Sequence, residues 1–227
     1  MKNTKKVVVI LTVFVVLAFT AAQADVIVPI FAPVPGDITA VWSQFGGNNT
    51  PVARAFIFMT SVAEFEFGAF GAAGGGLVKV QGTGSGQWHG NFNPGDYLLY
   101  TNGHGPITFT FDNGYGDIGT YIQPLGTGNF TAQLQLYNGT VLLATITENG
   151  VSNNHNNGTA IFIGAKDMTA NNITQAIFSI KSGPGNLRTF AIDTLYLSYN
   201  VPEPGTMVLL GTGLIGLAGF ARRRMPR

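Results

Sequence analysis

Phe130-Thr131-Ala132-Gln133-Leu134-Gln135-Leu136-Tyr137-Asn138-Gly139-Thr140-Val141-Leu142-Leu143-Ala144-Thr145-Ile146 is the stretch on which the fold turns. Phe130, Ala132, Leu134 and Leu136 alternate with Thr131, Gln133, Gln135 and Tyr137, and a period of two sends one row into a core and the other towards water. After Asn138-Gly139 the run resumes with β-branched and aliphatic residues from Thr140 to Ile146. Two such runs joined by Asn-Gly predict a hairpin with a type I′ turn, whose two central residues both need positive φ.

Outward from the hairpin the same grammar recurs. Ile107, Phe109 and Phe111 alternate with Thr108 and Thr110 and end at Asp112-Asn113-Gly114; Ala176, Phe178 and Ile180 alternate with Gln175 and Ser179 and end at Gly183-Pro184-Gly185-Asn186. Val62 to Phe67, Leu77 to Gln81, Tyr97 to Thr101, Ala160 to Ala165 and Thr189 to Ser198 read as further strands. About ten short strands punctuated by Gly, Asn and Pro predict an all-β fold, an antiparallel, jelly-roll-like β-sandwich. The Gly-rich runs Gly71 to Gly76 and Gly82 to Gly86 are loops, since neither leads into a helix or carries a Gly-Lys-Ser/Thr ending.

The two ends differ in kind from this body. Lys2, Lys5 and Lys6 precede an apolar stretch from Val7 to Phe19, and Ala22-Gln23-Ala24 offers the small-x-small pattern of a signal peptidase site, so residues 1–24 read as a signal peptide cut after Ala24. Thirteen apolar residues rise only about 20 Å, short of the ~30 Å hydrocarbon core, which argues against a retained span. At the other end Pro202-Glu203-Pro204 precedes an apolar run from Met207 to Ala221 and then Arg222-Arg223-Arg224. The two prolines hold the stretch around Glu203 extended, a shape that a processing enzyme can grip. A helix from Thr206 to Ala221 spans roughly 24 Å, workable as a membrane span with the arginines snorkelling, and those arginines keep that end cytoplasmic.

Between these ends residues 25–200 form one exported domain. It keeps five basic residues, Arg54, Lys79, Lys166, Lys181 and Arg188, against ten acidic ones, because the other seven of the chain's 12 Lys and Arg sit in the two ends. A body near −5 excludes nucleic acid and anionic membrane surfaces as partners. Zero cysteines exclude disulfides, thiolate metal sites and cysteine nucleophiles.

The tail resembles the sorting signal of the PEP-CTERM family, in which Pro-Glu-Pro, an apolar helix and an arginine cluster follow one another at the C-terminus, here Pro202-Glu203-Pro204, Met207 to Phe220 and Arg222-Arg223-Arg224. The resemblance implies processing by exosortase, a membrane-embedded cysteine transpeptidase of Gram-negative bacteria that make extracellular polysaccharide. The expected itinerary runs through the general secretion machinery and signal peptidase to the inner membrane, and then to the cell surface or matrix. Ala191-Ile192-Asp193 followed by Leu195-Tyr196-Leu197 is similar to the closing Phe-Ala-Ile-Asp-Asp-Leu segment of β-sandwich domains in that family, with Thr194 at the second Asp.

Chemistry in the body is sparse. His89, His104 and His155 are scattered, with no spacing that presents two ligands on one face. Glu64 and Glu66 stand two apart on a strand, as a carboxylate pair for glycoside hydrolysis or as a solvated row opposite Ala63, Phe65 and Phe67; the second reading is preferred, and no nucleophile elbow is present. Asp112, Asp117 and Asp193 are weighed as calcium ligands, but the spacing fits no established loop and no metal ligand is assigned. Trp42, Trp88, Tyr97, Tyr100, Tyr115 and Tyr121 either fill the core, the reading preferred, or offer a stacking face for carbohydrate. Asn-x-Thr sequons at Asn48, Asn129, Asn138, Asn157 and Asn172 read as turns. Gly211-Thr212-Gly213-Leu214-Ile215-Gly216 lies inside the apolar tail and is membrane-helix packing rather than a dinucleotide site. The expectation is a structural, adhesive or carbohydrate-binding matrix component without catalytic residues or cofactor, with extracellular polysaccharide as ligand; the alternative is a secreted hydrolase of polysaccharide.

Overall fold

Hydrogen bonding completes what the alternation begins. In the computed structural model, which describes residues 25–34, 38–53, 55–58, 63–67 and 75–200, with the backbone alone for 55–58 and 63–67, the hairpin is formed by two long strands. In chain order the strands are β1 (Ile27–Ile30), β2 (Ile38–Ala40), β3 (Pro51–Val52), β4 (Ala55–Phe58), β5 (Ala63–Phe67), β6 (Gly76–Val80) and β7 (Tyr97–Tyr100), then β8 (Ile107–Tyr115), β9 (Asp117–Pro124), β10 (Gly128–Asn138), β11 (Val141–Ser152), β12 (Ile161–Asp167), β13 (Ile173–Ser182) and β14 (Phe190–Ser198). One 3₁₀ turn, Trp42–Phe45, lies between β2 and β3. Among the described residues no helix is long and apolar enough to cross a membrane. The expected signal and tail helices, with Ala22, Ala24, Pro202, Glu203, Pro204 and Arg222 to Arg224, lie outside the described residues.

Two antiparallel sheets result. The larger has the order β1-β12-β9-β14-β7-β6-β3, with β2 also on β14, and the smaller has the order β11-β10-β13-β8-β5-β4. The last eight strands hold β12-β9-β14-β7 in one sheet and β11-β10-β13-β8 in the other, the double Greek-key wiring of a jelly roll; the earlier strands extend its edges. Between the sheets, Phe109, Phe111, Leu134, Leu136, Phe178 and Ile180 of the smaller sheet meet Ile118, Ile122, Ile163, Ile192, Leu195 and Leu197 of the larger. Each such side chain contributes on the order of 1.5–3 kcal/mol when fully buried, enough to stabilise the body without a cross-link.

Three expectations change. The hairpin forms in the register Asn138↔Val141, so its two central residues are Gly139 and Thr140 rather than Asn138 and Gly139. Gly139 has φ +57° while neither Asn138 nor Thr140 has positive φ. A two-residue loop with glycine first and an ordinary second residue fits a II′ turn, not I′. Second, β8 does not end at Asp112-Asn113-Gly114: Thr110 pairs with Gln175 and Tyr115 with Ile173, so these residues bulge out within the strand. Third, β9 was not anticipated, because seven of its eight residues are buried and a strand covered on both faces shows no alternation.

Both ends of the body are fastened to one turn. The Asp25 carboxylate accepts hydrogen bonds from Asn172 Nδ2 at 2.6 Å and Thr169 Oγ1 at 3.3 Å. Asn200 donates through its backbone N–H to Asn171 Oδ1 at 2.6 Å and through Nδ2 to the carbonyls of Asp167 and Ala170. The chain therefore enters and leaves the sandwich at the same end.

Candidate functional site

The outer face of the larger sheet carries most of the chemistry. On β7, Leu99 points inwards while Leu98 and Tyr100 point outwards, and the segment from Gln81 to Asp96 folds back over them with Trp88 and Phe92. A second apolar layer of Trp88, Phe92, Leu98 and Ala191 forms there, outside the sandwich core, flanked by Tyr100, Tyr121 and Ala160. Further along this face the rings of Tyr121, Phe162 and Tyr196 meet edge to face at 5.2–6.4 Å. Room for Phe162 comes from Gly119 and Gly164, which oppose each other on β9 and β12: a Cβ on Gly119 would lie 2.3 Å from the ring and one on Gly164 2.7 Å from it.

A buried amide network holds the covering segments down. Gln123 Oε1 accepts from the Asn91 N–H at 2.7 Å, and Gln123 Nε2 donates to Asn91 Oδ1 at 2.9 Å and Ser152 Oγ at 2.6 Å. Asn91 Oδ1 also accepts from the Asn153 N–H, and its Nδ2 donates to Thr159 Oγ1. Gln81 Nε2 reaches the Gly90 carbonyl and Asn156 Oδ1. Hydrogen-bonded amides of this kind are stabilising only while every member keeps its partner.

Above that layer lies an open cleft of about 390 Å³, lined by Lys79, Gln87, Trp88, His89, Tyr100, Leu125 and Asn154. Its floor is a tilted ring pair, Trp88 and Tyr100, with centroids 5.2 Å apart. Lys79 Nζ sits 6.0 Å from the Tyr100 centroid and donates to the Gly86 carbonyl at 2.9 Å and to Asn49 Oδ1. Burial lowers the Lys79 pKa and raises that of Tyr100. The half-buried Tyr100 ring, backed by the buried Trp88 and rimmed by amides, an imidazole and one ammonium, can stack on C–H surfaces while the rim binds hydroxyl groups.

A smaller cavity of about 50 Å³ opens nearby between Phe92, Asn93, Asp96, Tyr121, Gly158, Ala160 and Asp193. Asp193 and Thr194 together oppose Tyr121 in a bulge of β14, so the Asp193 carbonyl accepts from Trp42 Nε1 at 2.6 Å and Thr120 Oγ1 at 3.0 Å while its carboxyl lines this cavity. Burial, and then the negative charge of Asp96, push the Asp193 carboxyl up to about 6. Between the ordinary Asp value and that figure the folded chain holds a proton that the unfolded chain has released, so this group's contribution to stability falls as pH rises through the window. Asp193→Asn is therefore expected to raise stability near pH 7 by about 1–3 kcal/mol and to change little near pH 4. A series of thermal melts across that range checks it; equal effects at both ends would contradict the assignment.

The sequence candidates disperse. Trp42 and Tyr115 are fully buried in the core, Trp88, Tyr100 and Tyr121 share the outer face, and Tyr97 is exposed at the start of β7. Asp112 is exposed on the smaller sheet, Asp117 is paired with Lys166 at 3.0 Å on the larger one, and Asp193 faces Asp96 some four residues, about 13 Å, along β9 from Asp117, so these three do not form one cation site. Among the described residues no three His, Asp or Glu side chains converge as metal ligands. The Glu64 and Glu66 side chains lie outside the description; their backbones pair with Thr110 and Thr108. Gln87, Phe92 and Asp96 escaped the sequence reading because they sit in the covering segment that follows the Gly-rich run, while Lys79, Phe162 and Tyr196 lay in expected strands with no role assigned to them.

No curated protein matches the chain. Residues 200–224 match the PEP-CTERM protein-sorting motif, directly after Asn200 leaves the sandwich. The chain thus carries a PEP-CTERM sorting signal, which makes it an exported protein, sorted to the cell envelope, with exosortase as its processing partner.

Proposed function

We propose that this is a non-catalytic component of the extracellular matrix that binds polysaccharide through the Trp88–Tyr100 cleft. The observation that carries the reading is a ring-floored cleft of about 390 Å³ rimmed by amides, on a body that the sorting signal sends to the envelope. That volume suits a saccharide unit, within the ~300–1,000 Å³ of small-molecule sites. The hydrolase alternative rests on Glu64 and Glu66, whose side chains lie outside the description; the Asp96–Asp193 pair offers no substitute, since its cavity of about 50 Å³ has space for a water but not for a sugar ring. In this reading the signal peptide is removed after Ala24, the helix from Thr206 to Ala221 holds the precursor in the inner membrane, and exosortase acts near Pro202-Glu203-Pro204.

Protein recovered from the cell surface should have an intact mass beginning at Asp25 and lacking Arg222 to Arg227. It should bind the producing organism's polysaccharide without turnover, with Tyr100→Ala weakening binding about tenfold, the worth of one lost stacking contact. Undiminished binding by a folded Tyr100→Ala protein would remove the cleft from the account, and release of reducing sugar would favour the hydrolase.

A further inference from the structure

The turn that fastens both ends of the body also contains a buried acid with one oxygen left unpaired. Asp167, the last residue of β12, is 0% exposed. Its Oδ1 accepts from the Thr169 N–H at 2.8 Å, Thr169 Oγ1 at 2.6 Å and the Ala170 N–H at 3.2 Å, while its Oδ2 is buried and has no hydrogen-bond partner. Thr169 Oγ1 also lies 3.3 Å from Asp25 Oδ1. One hydroxyl carries one proton and cannot serve both acids at once. The two carboxylates are thereby held within about 6 Å of each other, a separation at which like charges oppose one another in a partly dry site.

No basic side chain relieves them. Among the described residues the ion pair recorded is that of Lys166 with Asp117, and strand alternation puts Lys166 on the opposite face of β12 from Asp167. A buried carboxylate with an empty lone-pair position costs several kcal/mol unless something positive meets it. Besides the backbone N–H groups already on Oδ1, the neighbouring side chains are the Asp25 carboxylate, the Thr169 hydroxyl and the Asn172 amide, whose Nδ2 is 2.6 Å from Asp25 Oδ1. Turning that amide over would present its oxygen instead.

We infer that Asp25 and the Asp167–Asn172 turn form a binding site for a divalent cation, with the buried Oδ2 of Asp167 and the carboxylate of Asp25 as its charged ligands. A hard, all-oxygen donor set without imidazole or thiolate selects calcium over zinc or copper. Because the same turn holds Asn200, the ion fixes the point at which the chain enters the body and the point at which it departs for the sorting signal. The site is separate from the Trp88–Tyr100 cleft and stands or falls independently of it.

The test is isothermal titration of the chelator-treated full chain with calcium chloride, alongside thermal melting. One site per chain is expected, with a melting temperature several degrees higher at saturation, as mass action on the folded state requires. Asp25→Asn and Asp167→Asn should each weaken calcium binding at least tenfold, while Asp112→Asn leaves it unchanged. If Asp167→Asn does not fold, Asp25→Asn, at the start of the body, decides alone. Terbium supplies a second readout, since Tyr115 and Tyr199, stacked at 4.7 Å, stand at this end of the sandwich to sensitise its emission. Absence of heat and of any melting shift at millimolar calcium overturns the inference, as does full binding retained by a folded Asp25→Asn chain.

Discussion

Trp42→Ala is expected to lower the unfolding free energy by about 3–5 kcal/mol, a large share of the stability of a single domain. Trp42 is 0% exposed, stacks on Phe45 and Phe109 with centroids 6.3 and 6.2 Å away, and donates its indole N–H to the Asp193 carbonyl in the β14 bulge. Truncation removes the rings' contacts and leaves a cavity between the sheets, which strands on either side are too firmly paired to close. Trp42→Phe restores most of the volume without the N–H, so the gap between that variant and the parent protein reports the hydrogen bond, expected at about 1 kcal/mol. Urea denaturation of the three proteins measures this, and a loss under about 1 kcal/mol for the alanine variant would mean that the 3₁₀ turn does not plug the core.

Gln123→Ala is expected to cost about 2–4 kcal/mol and also to damage the cleft. The substitution removes the acceptor of the Asn91 N–H and the donor to Asn91 Oδ1 and Ser152 Oγ, groups buried beneath the covering segments. Those segments bring Trp88 to the floor of the cleft and His89 and Asn154 to its rim, so hydrogen exchange should rise from Gln81 to Asp96 and from Ser152 to Ala160 while β10 and β13 stay protected. Ligand affinity should fall even though Gln123 does not line the cleft. Uniform loss of protection across both sheets would show instead that the layer and the sandwich unfold as one.

The sandwich was legible in the sequence where one face of a strand is dry and the other wet. Leu134 and Leu136 of β10 are 0% exposed while Gln133, Gln135 and Tyr137 between and beside them are partly open, and their alternation is visible in the bare letters. It was illegible where both faces are covered, as along β9, in which Thr120 and Gln123 are buried as deeply as Ile118 and Ile122. Glycine-rich composition concealed the covering segment: Gly82 to Gly86 reads as a loose loop, yet the residues after it bury Trp88 and Phe92. Asp96 and Asp193 are 97 positions apart, and only the pairing of β14 between β7 and β9 brings them to one cavity. The sorting signal is the opposite case, since its meaning resides in local order along the chain and requires no tertiary contact.

The placement of β14 has a mechanical consequence. It is bonded along one flank to β9 and along the other to β7 and then β2, and the chain departs from its C-terminal end at Asn200. Tension applied through that exit runs parallel to the strand, loading the ladders on both sides together in shear instead of unzipping them one rung at a time. A body tethered by this route can resist drag from flowing medium far better than one hung from an edge strand.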